Sequence, residues 1–151
     1  MESTQMMDLK ELESMLSRGL KTLVPRLEIG LEKVGHLAQS IAAELPGHDQ
    51  PHWAPLAAST LLDKEKKGFP VPSPLKRTGE MAESYKTELV PAELAVVVGS
   101  EDKVALFQEM GTVKIPPRTV LMPAMQRAMP YAGDVFGEIA VSVLTGKALF
   151  K

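Results

Sequence analysis

Along the first third of the chain apolar side chains recur at Leu9, Leu12, Leu16, Leu20, Leu23, Leu27, Leu31, Val34, Ala38, Ile41 and Leu45. Ten intervals over 36 residues give a mean spacing of 3.6, the period of a straight α-helix rather than the 3.5 of a left-handed coiled coil. The pattern predicts one amphipathic helix that ends at Leu45-Pro46-Gly47. Pro25 lies inside it and removes an internal hydrogen bond. The stripe keeps its phase from Leu23 to Leu27, which favours a single kinked helix over two helices folded back at Pro25. At ~1.5 Å per residue it would reach roughly 55 Å, more than a compact domain of this size needs. Part of it is therefore expected to dock on another chain.

Beyond residue 45 the pattern changes. Prolines at 46, 51, 55, 70, 72 and 74 mark an insert, residues 46–77. Pro55 can open a short helix there that closes at Gly68, with the charged run Asp63 to Lys67 as its solvated face. Thr78 is a candidate amino-terminal cap for one turn through Met81. Ser84 to Val90 and Glu93 to Gly99 read as two strands joined at Pro91-Ala92, with Leu94, Val96 and Val98 alternating against Ala95 and Val97. An antiparallel pair is the simplest topology.

The stretch Phe107 to Met125, FQEMGTVKIPPRTVLMPAM, carries the densest local information. Lys103 to Met110 are good helix formers, and Gly111 suits the position just past a helix end, where positive φ is needed. Pro116-Pro117 then fixes φ twice and holds the backbone extended. Thr119 to Leu121 suit a short strand, and Pro123 the first position of a final helix reaching Thr145 and closed by Gly146. Pro130 and Gly133 are expected to interrupt or bend that helix. The order of elements is that of an α+β fold: a long N-terminal amphipathic helix, a small antiparallel sheet with a short helix, and a C-terminal helix. It is read as a single domain over residues 1–151, with an α+β core at 78–151.

Composition narrows function by exclusion. A formal charge of −2, from 17 Lys and Arg against 19 Asp and Glu, offers no field to draw in nucleic acid or an anionic membrane. The absence of cysteine removes disulfides, thiolate zinc sites and cysteine nucleophiles. No run of eighteen apolar residues is present and the amino terminus is acidic, so a soluble protein made in a cytoplasm is expected. Nine methionines and few aromatics describe an adaptable core or contact surface.

Candidate chemistry is thin. His48 and His52 have an i, i+4 spacing, but Gly47 and Pro51 argue against a helix there, so surface histidines are expected. A hydrolase built on His48, Asp49 and His52 would need a third ligand that the sequence does not fix. His36 sits one step off the apolar stripe. Glu80 and Glu83 read as solvated charge. G-x-S-x-G, a phosphate-binding glycine loop and the dinucleotide fingerprint are all missing. No catalytic residue, cofactor or metal is expected. Arg118, beside the two prolines, is the most rigidly placed charge and reads either as an internal salt bridge to Glu109 or as a subunit contact. Trp53, between Pro51 and Pro55, reads as a core anchor or an interface hot spot. Leu16, Leu20 and Leu23 on the long helix complete the candidate subunit-interface residues.

Five features in register resemble a known family. They are Thr78-Gly79-Glu80-Met81-Ala82-Glu83-Ser84, a strand pair ending Val98-Gly99-Ser100, Glu109-Met110-Gly111-Thr112, Pro116-Pro117-Arg118, and Pro123-Ala124. The tail-completion or neck proteins of long-tailed bacteriophages carry in the same order a T-G-x-L-x-x-S turn, a strand pair, an E-x-G-T helix end, a P-x-R-x-F-L segment and a P-A helix start. Trp53-Ala54-Pro55-Leu56-Ala57 with Thr60 and Lys64 is similar to the related phage virion-morphogenesis family. The resemblance covers about residues 53 to 146. Departures are Val104-Ala105 where the family often has Tyr-Ala, and Met81 and Val120 where it has Leu and Phe. It implies a non-enzymatic structural protein of the head-tail connection, a homo-oligomeric ring at the neck or tail end. Its partners would be other neck, head-completion or tail-tube proteins, with no sequence-specific nucleic acid and no membrane. Its place would be the virion, after assembly in the host cytoplasm. In such a ring the helix of one subunit could lie on the sheet of the next. The alternative is a small cytoplasmic adaptor that offers its N-terminal amphipathic helix to a partner groove.

Overall fold

The structure, a computed structural model, describes residues 8–149. Helix α1, Leu9–Glu44, runs unbroken through Pro25. Helices α2, Ala58–Lys66, and α3, Glu80–Glu83, follow, then strands β1, Tyr85–Val90, and β2, Ala95–Ser100, joined by a 3-10 turn at Pro91–Glu93. Helices α4, Lys103–Met110, and α5, Leu121–Thr145, complete an α+β fold whose elements follow the expected order apart from one short strand. No described helix is long and apolar enough to cross a membrane.

Helices α1 and α5 form an antiparallel pair. Gly19 lies against Val143, Gly30 against Val135 and Ile139, and Ala42 shares a cluster with Ala124. The residues α1 buries are small ones, Gly19, Gly30, Val34, Gly35, Ala38 and Ala42, so the backbones approach closely and the leucines of the stripe flank the contact. Arg26 ties the pair together, donating to Ser142 Oγ at 2.6 Å.

The two strands pair antiparallel, with Tyr85 opposite Ser100, Thr87 opposite Val98 and Leu89 opposite Val96. Alternation puts these residues on one face, and that face rests on α1 at Gly35, whose missing side chain makes room for Thr87 and Val96. The opposite face carries Lys86 and Glu88, both exposed. Leu94, at φ 47°, turns the chain before β2.

Several local expectations are corrected. No strand forms at Thr119 to Leu121, because those backbone groups are satisfied by side chains: Trp53 Nε1 donates to Thr119 O, and Val120 N and Leu121 N donate to Glu109. The last helix begins at Leu121, so Pro123 is its third residue, still among those whose N–H has no intrahelical acceptor. It continues through Pro130 and Gly133 without interruption. Gly79, not Thr78, is the cap of α3, although Thr78 Oγ1 accepts from Glu80 N at 3.5 Å. The run Asp63 to Lys67 is not wholly solvated either. Lys64 is buried, donating to the carbonyls of Ser73 and, at 2.8 Å, Lys76. Burial, with Arg77 nearby, pushes its amine below the usual 10.5.

Candidate assembly surface

The rigid stretch after α4 is held by polar side chains reaching main-chain atoms. Gly111, at φ 71°, ends α4, and Arg118 N donates to Gln108 O at 2.7 Å. The guanidinium of Arg118 then crosses to the insert, where Nε and Nη2 donate to Ala54 O at 3.1 and 2.9 Å and Nη2 to Pro55 O at 3.2 Å. It is buried, and its partners are carbonyls rather than the Glu109 carboxylate. Glu109 instead caps α5, accepting from Val120 N at 2.7 Å and Leu121 N at 3.3 Å, where a negative charge also complements the helix dipole. Trp53 is buried in the same cluster, its Nε1 donating to Thr119 O at 3.0 Å.

Arg118, Glu109 and Trp53 therefore converge on one framework, and their contacts are spent inside the subunit. Burial, reinforced by the Glu109 and Asp102 charges, pushes the Tyr85 hydroxyl in that cluster well above its ordinary 10.0. The candidate leucines sit apart, at the other end of the molecule, with Leu20 exposed and Leu16 and Leu23 half-buried.

Among the described residues apolar side chains stand exposed on α1, on α4 and along the outer side of α5, where Met122, Met129, Val141 and Leu144 are uncovered; the faces on α1 and α4 lie at opposite ends. On α1, ten residues precede Gly19, whereas α5 ends two residues after Val143, so the first turns of α1 run past the end of their partner helix. There Leu9 is 80% exposed, and Leu20, one residue past Gly19, is 64% exposed on the same side of α1 as Leu9. At the opposite end α4 presents Leu106, Phe107 and Met110, the last 74% exposed, with fully exposed Val113 following. The composition of α4, apolar without strong amphipathicity, was the signal for this second face.

A cleft of about 600 Å³ opens between the insert and α4, lined by apolar Leu56, Phe69, Met81 and Ile115 together with charged Lys76, Arg77, Glu80, Asp102 and Lys114. Gln108 Oε1 is buried on its lining without a hydrogen-bond partner. The size is that of a small-ligand cleft, with walls of mixed polarity. His48 and His52 are both exposed. His52 packs edge-on against Trp53, with ring centroids 5.9 Å apart. Among the described residues no group of three His, Cys, Asp or Glu side chains could hold a metal ion.

No family model matches this chain, and no curated protein or solved structure is significantly similar to it.

Proposed function

We propose that this chain is a non-enzymatic structural protein of the head-tail connection of a long-tailed bacteriophage. It works as one subunit of a homo-oligomeric ring at the neck or tail end, in contact with other neck, head-completion or tail-tube proteins. The observation that carries the reading is the pair of unlike apolar faces at opposite ends of one subunit, on the first turns of α1 and on α4. Unlike faces give heterologous contacts, which close into a ring when the rotation permits. The placement in a phage rests on the order of sequence motifs from Thr78 to Ala124. The framework of Trp53, Glu109 and Arg118 supports it, since it holds the second face rigid against the start of α5. An adaptor that offers only its first helix would have no use for the face on α4.

An antibody raised against the purified chain, applied to particles from the producing culture and viewed in negative stain, tests this reading. Gold label at the head-tail junction is expected. Label confined to material without particles would overturn the phage assignment in favour of the adaptor.

A further inference from the structure

We propose that the first turns of α1 dock on α4 of a second copy of this chain. The inference rests on the ring reading and says which surfaces make the ring. On α1, Leu9, Glu13, Leu16 and Leu20 follow spacings of four, three and four, so they share one helical face, with Leu9 and Leu20 exposed. On α4, Lys103, Leu106, Phe107 and Met110 follow spacings of three, one and three and share another, with all three apolar members exposed. Each face is apolar and carries one charge, negative on α1 and positive on α4. Among the described residues neither Glu13 nor Lys103 has an ion pair or a side-chain hydrogen bond.

The same chain cannot bring the two together. Antiparallel packing sets the start of α1 beside the end of α5, while Glu109 pins α4 to the start of α5, which is 25 residues or about 37 Å long. A contact between these two faces is therefore a contact between two copies, and their opposite charges, Glu13 and Lys103, favour that occupant. The neighbour's sheet is a poorer seat for the helix, because one face is already covered by its own α1 and the outer face sets exposed Val97 beside the charged Lys86 and Glu88.

The chain has no cysteine, so engineered thiols report contacts without background. Full-length Leu20→Cys and Phe107→Cys proteins, both altered at exposed positions, are mixed and oxidised, with Leu20→Cys plus Lys86→Cys as the comparison. A disulfide-linked heterodimer of the first pair in clear excess over the second is expected. Equal yields from the two mixtures would overturn the proposal. Charge reversal gives an independent reading: Glu13→Lys and Lys103→Glu should each weaken self-association roughly fivefold, as an ion pair of about 1 kcal/mol implies. Mixing the two reversed proteins should restore it, and a mixture no better than either alone would count against the contact. Light scattering on the unmodified chain keeps the two readings apart. A ring-sized mass without the Leu20–Phe107 link would sink this contact and leave the ring intact.

Discussion

The α1–α5 pair and the framework around Arg118 close the same molecule by different means. Along the helix pair the contact is made by what is missing: Gly19 and Gly30 carry no side chain where Val143, Val135 and Ile139 press in, and Val34 completes a buried aliphatic cluster. Around Arg118 the contact is made by long polar side chains that end on main-chain oxygens and nitrogens up to 66 residues away. The first kind of packing is indifferent to direction and depends on volume. The second fixes individual backbone groups, and so sets where α4 stands. If α4 docks on a partner as proposed, the second kind of packing is the one that would hold it in place.

Substitutions that enlarge the helix contact should have the largest effect. A Cβ on Gly19 would run into the carbonyl oxygen of Val143, a backbone atom that cannot rotate away. Gly19→Leu is expected to force the helices apart and lower stability by about 3 kcal/mol, in the upper range for overpacking. Urea denaturation followed by circular dichroism measures it, and an unchanged midpoint would show that the pair is loose at this point. Next comes Arg118→Met, which keeps the aliphatic stem but leaves the carbonyls of Ala54 and Pro55 without their donors. A loss of about 2 kcal/mol is expected for buried acceptors left unpaired. Hydrogen exchange should locate the loosening in the insert and at residues 115–120, with α1 and α5 still protected. Uniform loss of protection across both regions would mean that the two means of closure are not separable.

How much of this was legible differs between the regions for the same reason. The helix of 36 residues could be read through Pro25 because its period spans ten turns, and one proline cannot erase ten repeats of a pattern. The strand pair was readable from alternation in β2, within one or two residues at each end. Gly111 was readable as a helix end because φ restricts the residue there. The framework was not. Arg118 and Glu109 looked like ion-pair partners nine residues apart, yet each finds main-chain atoms supplied by a different segment, and nothing local encodes that choice. The strand expected at Thr119 failed for the same reason: β propensity is weak, and a helix cap from Glu109 took the N–H groups a ladder would have used. Lys64 hides in a run of charge whose solvated neighbours disguise it. On the long helix the stripe marked the apolar half, including buried Val34 and Ala38, but gave no sign of Gly19 and Gly30, where α5 comes closest.

The smallest expected effect has the opposite sign, and it draws the boundary of the close contact. Gly133 and Gly137 lie in α5, but a Cβ built on either meets nothing within 4 Å, and both are exposed. With no neighbour to displace, replacing glycine by alanine acts only through the backbone, restricting the unfolded chain and favouring the helix. Gly137→Ala should therefore raise stability by about 0.5–1 kcal/mol, with Gly133→Ala similar. At Gly19 the same alanine gains the same helical preference but must push Val143 back, so its net effect should be a loss. The pair of measurements separates propensity from packing within one helix contact. If Gly137→Ala lowers stability instead, the outer side of α5 is covered in solution. The proposed ring contact would then have to include that side as well as α4.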